Sequence, residues 1–162
     1  MAGERKETGE RQAGRGRPWR IFYPLLQWTW GIVQNVLGAM ICLFLLLRDP
    51  HRRRRRYHGA IVTEWGLRSS MGLGMFIFFG HWREPKAYRD AVLVHEYGHT
   101  VQSCLLGPLF LPVIGLPSVV WAFTPVFARW RRQGRYSYYD FYPEKWANHE
   151  GERVLGLPAP KR

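Results

Sequence analysis

Residues 91–103 contain the sequence His95-Glu96-x-x-His99, three side chains whose types and spacing suit metal-assisted hydrolysis. On a helix, residues four apart stand one above the other, so both imidazoles can meet a single ion while Glu96 lies beside them. Two neutral imidazoles hold zinc at about 2.0–2.1 Å, and a third protein ligand leaves a fourth position for water. Such a metal acidifies the water and polarises a carbonyl, and a neighbouring carboxylate carries the proton to the leaving group. Glu96 is the candidate for that base.

The element that must position these groups is a helix. The motif is embedded among Val92, Leu93, Val94, Val101, Leu105 and Leu106 and ends at Gly107-Pro108, which predicts a buried helix with a clear stop. A buried histidine pair without partners is costly, and a metal satisfies both rings. The third ligand is expected downstream, at Glu144. Pro143 suits the first turn of a second helix, on which Glu144 and Asn148 share a face. In that arrangement Glu144 binds the metal while Asn148 hydrogen-bonds a ligand histidine from behind. A glutamate opening an ordinary surface helix, favoured by the helix dipole, is the alternative reading of that position.

Read together, His95-Glu-x-x-His99 and Glu144-x-x-Ala147-Asn148 resemble the membrane zinc metallopeptidases of the CAAX prenyl protease and heat-shock HtpX type, whose second motif is Glu-x-x-Ala-Asp. The wording of residues 95–103, 115–118 and 144–147 is similar, over roughly Trp28 to Leu157, to short bacterial membrane proteins described as zincin-like peptidases. The resemblance implies zinc held by His95, His99 and Glu144, with Glu96 as base. Asn148 departs from the pattern. Its amide oxygen accepts a hydrogen bond as an aspartate would, yet it adds no negative charge behind the histidine.

The 162 residues suffice for one domain, and the formal charge of +12, from 24 Lys+Arg against 12 Asp+Glu, narrows its surroundings. Such an excess suits nucleic acid, anionic lipid or membrane orientation. Eight Trp and long uncharged runs favour the membrane, where indole rings settle at the interface. Cys42 and Cys104 lie in apolar stretches, which argues against a disulfide framework or a cysteine zinc cluster, and Cys42 is expected to be a small buried hydrophobe.

Residues 1–20 are poor in apolar side chains and are expected to form a disordered basic tail. Residues 21–47 carry no charge and are expected to form one transmembrane anchor, with Trp28 and Trp30 near its edge. Gln27, Gln34 and Asn35 within it should face the rest of the protein. The five arginines 52–56 follow directly, a place where such a block meets acidic headgroups or fixes orientation. Nucleic acid is not expected, since no aromatic interleaving or nucleic-acid fold accompanies the charge. Residues 60–65 and 71–79, with a polar turn at Arg68-Ser69-Ser70, predict a small β-hairpin whose edge could pair with substrate backbone.

Residues 105–128 form a second uncharged run, long enough to cross a bilayer once. Crossing would carry Glu144 to the face opposite His95 and His99, although all three must meet at one ion. Pro108, Pro112, Pro117, Pro125 and the turn signal at 115–118 therefore predict a re-entrant hairpin that returns to its starting side. With that topology the catalytic side collects the larger share of Lys and Arg and is expected to be the cytoplasmic side of a bacterial inner membrane. His81 and His149 are not expected to be ligands, and one of the tyrosines in 136–142 is a candidate oxyanion donor.

The expected fold is mainly α with a small β-hairpin, a membrane-anchored, zincin-like α+β domain over residues 48–162. The expected activity is hydrolysis of peptide bonds in peptides or membrane proteins by zinc-activated water. Two rivals use the same residues differently: a non-catalytic membrane protein braced by a structural metal site, and an adaptor that binds acidic lipid through its arginines.

Overall fold

The computed structural model describes residues 19, 21–80 and 84–161. Most of the expected tail and His81 lie outside these, but Trp19 is placed, its indole N–H donating to the Tyr97 hydroxyl at 2.8 Å. The fold is α+β. Helices α1 (Ile21–Trp28) and α2 (Ile32–Arg48) lead into strands β1 (Arg54–Tyr57), β2 (Ala60–Glu64), β3 (Met71–Leu73) and β4 (Phe76–Phe79). Helix α3 (Lys86–Leu106) follows, then a short 3-10 turn, a π-helical turn (Leu111–Gly115), α4 (Leu116–Phe123), α5 (Pro125–Arg132) and α6 (Tyr142–Leu155).

The sheet differs from the single hairpin expected. Its order is β1-β2-β4-β3, and β2 runs parallel to β4 with Ile61 opposite Phe76. Parallel neighbours normally need a long crossover. Here β3 is the connection: the chain leaves β2, runs back along β3 and turns at Gly74, φ +60°, into β4. The alternating glycines that read as one long strand therefore mark a turn inside it. The arginine block also joins the sheet, as β1, through a tight turn in which His58 and Gly59 both take positive φ.

The expected single anchor over 21–47 is two helices bent by 93°, and no single helix among the described residues is long and apolar enough to cross a membrane. The elbow follows from the polar residues inside the run. The Gly31 amide reaches back five residues to the Leu26 carbonyl, and Gln27 and Gln34 are drawn onto α3. Gln27 donates to the Thr100 carbonyl, Gln34 to the Ser103 hydroxyl and Gly107 carbonyl, and Asn35 accepts from the Met75 amide. All three amides thus face the protein, as a polar group in an apolar helix must.

The 105–128 run also bends, but not at 115–118. The chain turns through 119° between Lys86–Leu109 and Leu111–Phe123, next to Gly107 with φ +53°, while 115–118 is helical. Pro112, Pro117 and Pro125 each stand in the first turn of a helical segment, where their missing N–H is no loss. The prolines start segments instead of breaking one.

The core lies between the sheet and α3, where Val62, Ile77 and Phe79 pack on Val92, Leu93, Tyr97 and Val101. Cys104 joins it as a buried free thiol. Helix α6 crosses the other side of α3 at backbone contact. A Cβ on Gly98 would fall 1.8 Å from the Ala147 carbonyl oxygen, and one on Gly151 would fall 2.2 Å from that of Val94. This crossing is what sets Glu144 beside the histidines.

Candidate metal centre

His95, Glu96 and His99 lie on the buried middle of α3, and Glu144 in the first turn of α6, directly after Pro143. Burial here is forced by the apolar flanks of the motif and by the glycine contacts that seat α6 on α3. The Nε2 atoms of His95 and His99 lie 3.1 Å and 3.4 Å from the same Glu144 oxygen, Oε2. Two ligand atoms sharing a tetrahedral zinc are themselves about 3.3 Å apart. The three ligand atoms lie within 4.8 Å of one another, so the group can hold a metal ion.

Both rings are held from behind by carboxamides. Asn148 Oδ1 is 2.7 Å from His95 Nδ1, and Gln102 Oε1 is 2.8 Å from His99 Nδ1. The amide orientations follow from their other ends, since Asn148 Nδ2 donates to the Pro160 carbonyl and Gln102 Nε2 to that of Pro143. Each oxygen must then accept from its histidine. Nδ1 therefore carries a proton in both rings, and each Nε2 faces Glu144, where a metal can take the place of a proton.

Electrostatics agree with a cation at the centre. Burial would lower His99, but the Glu144 carboxylate outweighs it and lifts the imidazole to about 9. Burial would raise Glu144, yet His99 and His95 hold it far below the usual carboxylate range. Glu144 Oε1 remains buried without a hydrogen-bond partner. Such an orphaned carboxylate oxygen is expensive unless a cation satisfies it. Geometry, tautomers and the unspent carboxylate oxygen all fit a divalent metal.

Glu96 has the opposite character. Burial raises its pKa, with His95 and His99 pulling the other way, and its Oε2 has no partner. A carboxylate so placed can take and return a proton. Strand β3 passes directly over it, where a Cβ on Gly72 would fall 2.6 Å from the Glu96 carbonyl oxygen and 3.0 Å from His99 Cβ.

The tyrosine segment closes another side. The Tyr139 ring stands edge-on to His95 at 5.1 Å. The Tyr138 hydroxyl is pushed up by burial and by the Glu144 and Glu96 carboxylates, so it stays a neutral donor beside them. This segment is tied to the bent apolar run, since the Trp121 indole donates to the Tyr138 carbonyl at 3.0 Å and the Tyr142 hydroxyl to that of Val113 at 2.6 Å. Arg131 lies over the rings of both Trp121 and Tyr138.

All five residues expected at the site, His95, Glu96, His99, Glu144 and Asn148, come together. His149 is exposed and takes no part. Gln102 was not anticipated. Its spacing of three from His99 places it on the same helical face, the one signal that could have found it. Searches against protein families, curated proteins and solved structures find no match for this chain.

Proposed function

We propose that the protein is a membrane-associated zinc peptidase in which His95, His99 and Glu144 hold the metal and Glu96 is the base. One observation carries this reading: two imidazole Nε2 atoms and a carboxylate converge in a buried cluster that leaves carboxylate oxygens of Glu144 and Glu96 unpartnered. Among the described residues only three metal-binding side chains gather there, as in zinc sites that keep a position for water.

When bound, zinc would acidify a water and polarise the scissile carbonyl. Glu96 accepts the proton of the attacking water through its free oxygen and returns it to the leaving amine. Asn148 and Gln102 hold the rings in the tautomer that binding requires. Tyr138, kept neutral beside the two carboxylates, is the candidate hydroxyl to donate to the developing oxyanion. Strand β3 is the sheet's edge and lies over Glu96, so an extended substrate can add to it as a further strand.

The membrane part of the reading rests on exposed apolar surface. Phe22, Leu25, Trp28, Met40, Phe44 and Leu47 of the first bent pair are exposed, and so are Leu109, Leu116, Val119 and Phe123 of the second. Surface of that extent is out of place in water. Two bent helical pairs, each apolar enough in sum, suit a protein embedded in lipid without a straight span. Substrates are then peptides or membrane-protein segments at the lipid boundary, with the site on the cytoplasmic side.

The test is zinc content and proteolysis of the purified full chain. Glu144→Ala should lose the metal, whereas Glu96→Gln should keep it and lose turnover. Activity surviving in Glu96→Gln removes the assigned base. The depth of the site, with Glu144 fully buried, favours a second reading as a structural metal centre. A hydroxamate that displaces water from the cobalt-substituted protein and alters its visible spectrum would exclude that reading.

A further inference from the structure

The arginine block does more than punctuate the chain. Arg53, Arg54 and Arg55, on and just before β1, line a cavity of about 520 Å³ together with Val62, Glu64 and Phe79 of the sheet and Lys86, Arg89 and Asp90 of α3. The cavity opens where the first turn of α3 leaves the sheet face. Five cationic side chains meet two carboxylates there, and one of those, Asp90, is already paired with Lys86 at 2.8 Å. Among the described residues no carboxylate pairs with Arg53, Arg55 or Arg89.

Arg89 is the most constrained of these groups. Its guanidinium lies 5.8 Å above the Phe79 ring, and its Nε is buried with no hydrogen-bond partner. A buried guanidinium donor left unpaired is costly, and an oxyanion is the acceptor that satisfies it. The start of α3 adds to the effect. It has no side-chain cap, so its first amides leave a partial positive charge at Lys86, itself on the cavity wall.

We infer that this cavity binds a phosphate group, held by Arg89 from α3 and by Arg53 and Arg55 from the start of the edge strand β1 and the residue before it. Planar guanidinium groups match phosphate oxygens in pairs, which a lysine cluster would not. The site is separate from the metal centre and does not depend on its catalytic reading. The phosphate can belong to an acidic lipid headgroup or to a soluble phosphate, and the chemistry at the wall is the same.

The experiment uses the full chain in neutral maltoside micelles at fixed ionic strength. Inorganic phosphate is titrated in one arm and dioctanoyl phosphatidic acid in the other, each followed by calorimetry. Saturable one-to-one binding is expected, weakened at least tenfold by Arg89→Gln. The double variant Arg53→Gln/Arg55→Gln, at exposed positions just before and on β1 that bear little on folding, should weaken it similarly. Arg132→Gln/Arg135→Gln removes as much charge from an exposed region outside the cavity and should stay within twofold of the parent. Binding of the lipid alone identifies a headgroup site, and equal binding of inorganic phosphate identifies a soluble ligand. No saturable binding in either arm, or an equal loss in Arg132→Gln/Arg135→Gln, overturns the proposal.

Discussion

Helix α3 carries two buried polar clusters, roughly 100° apart around its axis, and they are built to different ends. On one face Thr100, Ser103 and Gly107 receive Gln27 and Gln34 from the bent α1–α2 pair. On the other, His95, His99 and Gln102 meet Pro143, Glu144 and Asn148 of α6. The first cluster is neutral, and what it leaves unpartnered are neutral groups: single amide atoms of Gln34 and Asn35 and the Tyr23 hydroxyl. The second leaves carboxylate oxygens of Glu96 and Glu144 without partners. An unpaired neutral amide costs about 1–3 kcal/mol, which a fold can absorb, whereas an unpaired buried charge costs far more. Two equally polar, equally buried clusters therefore differ in kind. One is mortar between helices, and the other is a group that can hold a cation.

The comparison breaks most completely if α6 cannot sit on α3. Gly98→Val places methyl groups where the Ala147 carbonyl now lies. No rotamer avoids a backbone contact, so α6 must move away and take Glu144 and Asn148 with it. Zinc content should fall to background, and stability should fall by about 3 kcal/mol or more, the upper end for overpacking. The α1–α2 elbow, on the other face, should survive. Retained protection of the Met75 amide, which donates to Asn35, is the check by hydrogen exchange. Normal zinc content in this variant would mean that the crossing does not set the site.

This dependence on glycine shows where sequence stops being legible. The His95–Glu96–His99 spacing and the Glu144–Asn148 pair could be read directly, because helical period alone fixes their faces. The inward turn of Gln27, Gln34 and Asn35 was legible for another reason, that polar amides inside an apolar run must face protein. Gly98, by contrast, reads in isolation as a weakness inside a helix, and its purpose exists only once α6 lies against it. The parallel pairing of β2 with β4 is equally hidden, since the pattern of Met71–Phe79 does not say which neighbour each strand takes. The prolines of 105–128 misled in a different way. A proline is equally content to end one segment or to open the next, and only the position of the bend, between Leu109 and Leu111, decides.

A matched pair of substitutions sharpens the contrast between the faces. Gln34→Leu and Gln102→Leu each remove one buried carboxamide that ties α3 to a neighbouring helix. Gln34→Leu should cost about 1–2 kcal/mol of stability through the stranded Gly107 carbonyl and leave zinc affinity unchanged. Gln102→Leu strands the His99 Nδ1–H and the Pro143 carbonyl, and should weaken zinc binding about 10–100-fold, as loss of an outer hydrogen-bond partner does. Zinc affinity is read by chelator competition and stability by denaturant unfolding. Equal zinc losses in the two variants would erase the distinction.

Asn148→Asp tests the smallest effect, and two consequences of one atom oppose each other. A carboxylate behind His95 would make its Nε2 a better donor to a metal, which argues for tighter zinc binding by a few-fold. But Asn148 also donates through Nδ2 to the Pro160 carbonyl, and an aspartate oxygen there meets that carbonyl with nothing to donate. The segment around Ala159, which is buried and bonded to Glu152, should loosen at a cost of about 1 kcal/mol. Zinc affinity should therefore rise slightly while the Ala159 amide exchanges faster. If affinity rises and Ala159 stays protected, the amide serves the histidine alone. If affinity falls, the hold of Pro160 on residue 148 matters more to the metal than the added charge.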